Sequence, residues 1–149
     1  MGTKESCRTR IAASPDVVLD VVTDISKLPE WNRAITEVIE TPVPLTLGSV
    51  WRVRIHALGQ SWVSKSQATA LDRAEGRFTY RSQSDDGNPS YADWEWYVEA
   101  DGDGSRVTVT VDLNPMTFWR KHLLIRIRRR ALRKEMQTSL DALAAVVPI

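Results

Sequence analysis

The chain has 149 residues, 42% hydrophobic and 26% charged, which is ordinary globular composition and unlike disordered, collagen-like or membrane-spanning chains. Twenty basic and nineteen acidic residues leave a net charge of +1, so no whole-molecule field draws it to nucleic acid. One cysteine, Cys7, rules out an internal disulfide and suits a reducing, cytoplasmic compartment.

The length suits one domain over residues 1–149. A chain of this size buries roughly 68–70% of its unfolded surface, enough to fold without disulfides or a structural metal. The opening MGTKESCRTR has no apolar core, so it does not read as a secretory signal. Met1 to Ser6 fits the loose N-myristoylation pattern, but the preferred reading is a start codon followed by a small residue. Fifteen Arg against five Lys hint at a GC-rich bacterial gene.

Glu5 to Ala13 suits a short strand. Ser14-Pro15-Asp16 then reads as a helix start: a capping serine, a proline at the first helical position and an acid at the positive dipole end. Val17, Val18, Val21 and Val22 follow at helical spacing, so the helix runs to about Asp24. Ile25 to Trp31, with Pro29 inside it, has room for only a second small helix.

From Ala34 to Leu113 the period is two. Trp51, Val53 and Ile55 alternate with Arg52, Arg54 and His56, and Phe78, Tyr80 and Ser82 with Arg77, Thr79 and Arg81. Trp94, Trp96 and Val98 alternate with Asp93, Glu95, Tyr97 and Glu99, and Val107, Val109, Val111 and Leu113 with Thr108, Thr110 and Asp112. Such alternation marks half-buried antiparallel strands. Turn-formers at Leu47-Gly48-Ser49, Leu58-Gly59-Gln60, Glu75-Gly76, Asp85 to Pro89 and Asp101 to Ser105 join them into a meander.

The helical period returns at the end. Phe118, Ile125, Leu132, Met136, Leu140, Leu143 and Val147 share one sector, bracketed by Pro115 and Pro148. About 30 residues of helix span about 45 Å, long for a small domain, so the first turn or two could form a separate segment. The fold class implied is α+β: a curved antiparallel sheet of about seven strands wrapped round a long C-terminal helix, with two short helices between strands 1 and 2. A curled sheet gripping one helix leaves a space between them, and that space suits a small molecule.

The order of elements resembles the helix-grip fold of the START-related SRPBCC superfamily. Ile11 to Val18 is similar to its opening strand running into a Pro-started helix, Asp24 with Leu28-Pro29-Glu30-Trp31 to its "D…P…W" segment, and Gly48 to a recurring glycine. The polyketide cyclase/dehydrase-like branch is the most similar. These are scaffold motifs, so they imply the fold and leave the chemistry open. Members of the superfamily bind lipids, sterols, polyketides, hormones or quinones, and some are cyclases.

The residues offer little for covalent or metal chemistry. His56, His122 and Cys7 are scattered, so no metal spacing exists, and no phosphate-cradling glycine loop or nucleophile elbow is present. His56 falls on the wet face of its strand. Asp93, Glu95 and Glu99 are wet if the tryptophans point inward. Asp101-Gly102-Asp103-Gly104 reads as a hairpin turn rather than a calcium loop, because the remaining ligands are missing. No catalytic residue, metal or cofactor is assigned.

Aromatic residues carry the positive signal, with six Trp among eleven aromatics. Trp51, Phe78, Tyr80, Trp94 and Trp96, joined by Val53 and Ile55, would wall a pocket for a ring-bearing or acyl ligand. Leu132, Met136 and Leu140 would supply the helix side. Individually, each of these residues could equally be plain core.

Eight basic residues, Arg120, Lys121, Arg126, Arg128, Arg129, Arg130, Arg133 and Lys134, follow one another without an acid; taking their charge from the net +1 leaves −7 on the rest. Arg129 falls in the apolar sector. It either extends its head into water past the sheet or pairs with an acidic ligand group at the cavity mouth. A second apolar line, Trp119, Leu123 and Ile127, could pack under the short helices, form a homodimer or rest on anionic lipid.

The leading reading is a cofactor-free binder or carrier of a hydrophobic aromatic, polyketide or lipid-like molecule. The alternatives are a cyclase/dehydrase-like enzyme, with Tyr80 or Arg129 polarising a carbonyl, and an interaction module docking a partner or anionic lipid through the basic helix. Nucleic acid is not an expected partner.

Overall fold

A computed structural model describes residues 3–57, 59–114, 116 and 125–148. Strand β1 covers Thr3–Ile11, helix α1 Pro15–Val22 and helix α2 Leu28–Trp31, with a 3-10 turn at Ile25–Lys27 between the helices. Strands β2 (Ile35–Glu40), β3 (Val50–Ala57), β4 (Gln60–Asp72), β5 (Arg77–Ser84), β6 (Tyr91–Asp101) and β7 (Gly104–Asn114) follow, and helix α3 covers Ile125–Val146. All seven strands form one antiparallel curved sheet in the order β1-β7-β6-β5-β4-β3-β2. The chain order and the α+β helix-grip class are those the sequence implies.

Local chemistry explains the elements. Ser14 is extended before α1, Pro15 occupies the first turn and Asp16 sits at its positive end. Thr23 closes the helix, its hydroxyl donating to the Leu19 carbonyl at 2.7 Å. In β7, Val107, Val109 and Val111 are fully buried while Thr108, Thr110 and Asp112 between them are not, the alternation that fixes register. At Gly76 the β4–β5 turn takes φ +75°, and a Cβ there would lie 2.0 Å from the Val98 carbonyl oxygen, so only glycine fits.

The outer face of the sheet is ion-paired. Arg81 holds Asp93 in a fork at 2.7 and 3.1 Å, and Arg77 holds Glu95 at 3.0 Å. Arg52 bridges Glu40 and Asp85. The Arg77 and Arg81 guanidinium groups also lie over the rings of Tyr97 and Tyr91, 4.5 and 4.0 Å from the centroids. Asp93 and Glu95 therefore face outward, away from Trp94 and Trp96. At the β6–β7 turn the Arg10 hydrogen bond pulls the Asp103 carboxyl below its usual range.

Two expectations shift. Strand β1 ends at Ile11 rather than Ala13, because Ala13 leaves the sheet and its carbonyl accepts from the buried Ser105 hydroxyl at 2.6 Å. The first helix stops at Val22, two residues before Asp24, where the chain enters the 3-10 turn. Of the long-helix expectation, residues 125–146 are helical. Pro115, Phe118, Trp119, Arg120, Lys121, His122 and Leu123, like Met1 and Gly2 of the lipidation pattern, lie outside the described residues. No described helix is long and apolar enough to cross a membrane.

Candidate functional site

Strand register builds the floor of a cavity. Viewed across the inner face, Val53 pairs with Ser64 and Ser64 with Ser84. In the next row Trp51 pairs with Ser66, Ser66 with Ser82 and Ser82 with Ala92. Then Ala68 pairs with Tyr80 and Tyr80 with Trp94, and finally Leu71 with Phe78 and Phe78 with Trp96. Small side chains occupy the middle of the floor and aromatic ones its flanks. Helix α3 packs chiefly on β1 and α2. The space left between the helix and this floor is a cavity of about 810 Å³, within the roughly 300–1,000 Å³ common for small-molecule sites.

Eight of the eleven expected wall residues line it: Trp51, Val53 and Ile55 from β3, Tyr80 from β5, Trp94 and Trp96 from β6, and Leu132 and Met136 from α3. The rings form a continuous aromatic wall. Tyr80 packs edge-on against Trp51 at 5.2 Å and stacks on Trp94 at 6.3 Å. Trp96 meets the buried Trp31 of α2 at 90° and 5.2 Å. Two polar handles on this wall are paired: Trp96 Nε1 donates to the Tyr80 hydroxyl at 3.3 Å, and Trp94 Nε1 to the Ser82 hydroxyl at 3.2 Å. Burial pushes the Tyr80 pKa up to about 12, the Trp96 hydrogen bond opposing the rise. The hydroxyl is therefore neutral at all ordinary pH and its proton remains available to an acceptor.

Three expected residues lie elsewhere. Phe78 sits one row deeper, packed on Trp51 and Tyr80 at 5.9 and 5.2 Å, inside the core rather than on the cavity. Leu140 is fully buried one turn beyond Met136 on α3, in the half of the helix that meets α2, where the Arg33 amide donates to Ser139 Oγ at 3.1 Å. Arg129 faces β1: its Nε donates to Glu5 Oε1 at 2.8 Å. Its side chain stays 47% exposed and off the cavity, because α3 packs across β1 and a carboxylate stands at that edge. Ile127, 57% exposed, borders the outer end of the cavity.

Several polar wall residues escaped the sequence reading. Ser64 and Ser66 are only 3% exposed, and both face the cavity with Ser82 and Ser84. From α3, Arg128 and Glu135 line it on the side facing Trp62 of β4. Arg128 Nη1 lies 3.6 Å from Glu135 Oε1, and the guanidinium stands over the Trp62 ring at 5.5 Å. Burial pushes the Glu135 carboxyl above its usual range; Arg128 opposes the rise without cancelling it. Arg128, Leu132 and Glu135 follow at i, i+4 and i+7, a spacing that puts them on one face of a helix and could have revealed them.

No three His, Cys, Asp or Glu side chains cluster as a metal would need among the described residues. His56 is exposed and shares a 2.8 Å hydrogen bond with Ser61. The Cys7 thiol is pushed up by burial, with Arg133 opposing, the setting of an unreactive thiol.

Comparison with known proteins agrees with this fold. Residues 6–148 match the family described as "Polyketide cyclase / dehydrase and lipid transport". The chain belongs to that family. Its fold is shared with the Zhui aromatase/cyclase from Streptomyces sp. R1128, at TM-score 0.81 and 16% identity, over 97% of this chain and 93% of that one. It is shared also with the major latex-like protein 151 of Panax ginseng, at TM-score 0.76 and 16% identity over 99% of both. A START superfamily protein from Mycobacterium smegmatis aligns over 97% and 96% at TM-score 0.74 and 17% identity. At these identities the likeness concerns the fold alone. No protein with a curated description matches the sequence.

Proposed function

We propose that this member of the polyketide cyclase/dehydrase and lipid transport family binds a hydrophobic, ring-bearing small molecule between its sheet and α3, as a binder or carrier. One observation carries the reading: a cavity of about 810 Å³ whose floor is small and whose flanks are aromatic. Trp51, Tyr80, Trp94 and Trp96 would stack on flat rings or acyl chains, with Val53, Ile55, Leu132 and Met136 completing the apolar lining. Burying a ligand there removes apolar surface from water on both partners, worth about 25 cal/mol per Å² before the costs of association. The family's description and the shared fold with an aromatase/cyclase and a START protein support this class of ligand. Native mass spectrometry of the purified protein tests it. A retained organic adduct, released on denaturation, is expected; protein that stays adduct-free and takes up no aromatic or acyl compound from a broad panel contradicts it.

One observation favours a second reading, catalysis by shape. Tyr80 keeps its proton and presents a donor within the aromatic wall, so it could polarise a carbonyl of a folded reactive chain. Tyr80→Phe would then abolish turnover while leaving binding of a product analogue within a few-fold.

A further inference from the structure

The cavity is lined mainly by aromatic, aliphatic and uncharged polar side chains. One acid of the lining, Asp86, lies between β5 and β6 and already accepts from the Asn88 amide. On α3, Glu135 projects a carboxylate into the wall on the side facing Trp62, with Arg128 about two turns before it. An acid there is costly. Its Oε2 is buried and has no hydrogen-bond partner among the described residues, and its Oε1 meets Arg128 only at 3.6 Å, beyond good hydrogen-bond length. A structural ion pair would be satisfied more fully than this, since a buried carboxylate needs hydrogen bonds on its remaining lone pairs. The desolvation already noted is the same fact seen in its proton affinity. A carboxylate held short of donors in a ligand-sized space is set to accept one from the ligand.

We propose that Glu135 is the specificity-determining residue of the cavity, and that it selects ring-bearing ligands carrying a hydroxyl donor of the phenol type. The inference rests on the cavity being a ligand site. The carboxylate accepts the ligand O–H, while Arg128, over Trp62, holds the acid in place. The serines are adaptable hydroxyls that both donate and accept, so they do not discriminate a donor from an acceptor. Glu135, acceptor-only when ionised, does, and unlike Asp86, which accepts from the Asn88 amide, it has no donor within good hydrogen-bond length. A ligand with the same ring but no donor leaves the carboxylate desolvated and unpaired, and rejection follows from that cost.

Two probes of nearly equal shape separate the outcomes. 2-Naphthol and 2-methoxynaphthalene share the ring; the second has lost the donor. By isothermal titration at neutral pH, the wild-type protein should bind 2-naphthol about tenfold or more tightly than the ether, the usual effect of one hydrogen bond to a charged group. Glu135→Leu should erase that preference by weakening 2-naphthol, with the ether bound equally or better. Glu135→Gln, closest in shape, should retain a small part of it and covers the case in which the leucine variant fails to fold. Equal wild-type affinity for both probes overturns the inference while leaving the cavity reading intact. A preference that survives in both variants does the same. Failure of the wild-type protein to bind either probe overturns the two together.

Discussion

Tyr80→Phe changes one atom in the aromatic wall and makes a quantitative demand. In the native chain the hydroxyl accepts from Trp96 Nε1, so removing it leaves that indole N–H without its acceptor, at a cost of roughly 1–3 kcal/mol. The variant should therefore be the less stable protein at neutral pH. The phenol also ionises at about 12 in the folded state against 10.0 for a free side chain. Because the folded value is the raised one, this stabilisation is complete below pH 10 and is lost as pH climbs toward 12. Two units correspond to about 3 kcal/mol. Wild type should thus lose its advantage on the alkaline side and fall below the variant, the two curves crossing near about pH 11 if the neutral cost is small. Urea unfolding followed by tryptophan fluorescence, repeated at several pH values for both proteins, measures the gap; other titrating groups cancel in the difference. A gap that stays constant from about pH 9 to 12 would refute the buried, neutral Tyr80.

Other consequences are independent of this one. Glu135→Gln should stabilise the unliganded protein at pH 7–8: burial raises the folded pKa, so the native acid is best tolerated when protonated and penalised as pH rises. The advantage of the variant should shrink toward zero in mild acid, and paired denaturation curves at the two pH values check it. Arg129→Ala should leave affinity for acidic ligands and their neutral esters alike unchanged, because its partner is Glu5 of β1, and should cost about 1 kcal/mol or less; titration calorimetry and melting curves read the two effects. Ser66→Leu places a branched side chain on the cavity floor. It should raise stability by about 0.5–2 kcal/mol, as cavity-filling changes do, while cutting ligand affinity at least tenfold by occupying the same space.

Most of the scaffold was legible because one force wrote it repeatedly. Four strands, from Trp51 through Leu113, show strict alternation, since each has one face on the core. Strand β2 did not show it: a register shift against β3 between Ile35 and Glu37 brings Ile35 and Val38 to the core at a spacing of three, which no period-two reading detects. Strand β4 was hidden for another reason. Its inward residues Ser64, Ser66 and Ala68 are small and mostly polar, so the pattern that reports burial is faint where the protein makes room for a cavity. The cationic residue shows a third limit. Helical phase put Arg129 in the apolar sector, but that sector is wide, and one edge faces β1 with Glu5 waiting there. Its neighbour Arg128 turns to the cavity. One residue of phase, about 100°, separates those outcomes, and only the position of β1 decides between them.

The claim at the centre is that an apolar ring enters the space between the sheet and α3. Tryptophan indole N–H signals report on it directly, since the Trp51, Trp94 and Trp96 side chains line the cavity whereas Trp31 lies behind Trp96. In a ¹⁵N-resolved NMR titration with 2-naphthol, the indole signals of Trp51, Trp94 and Trp96 should shift together along one saturating curve, with Trp31 moving least. Saturating shifts at Trp31 with none at Trp51, Trp94 and Trp96, or no shifts that saturate, would contradict the account.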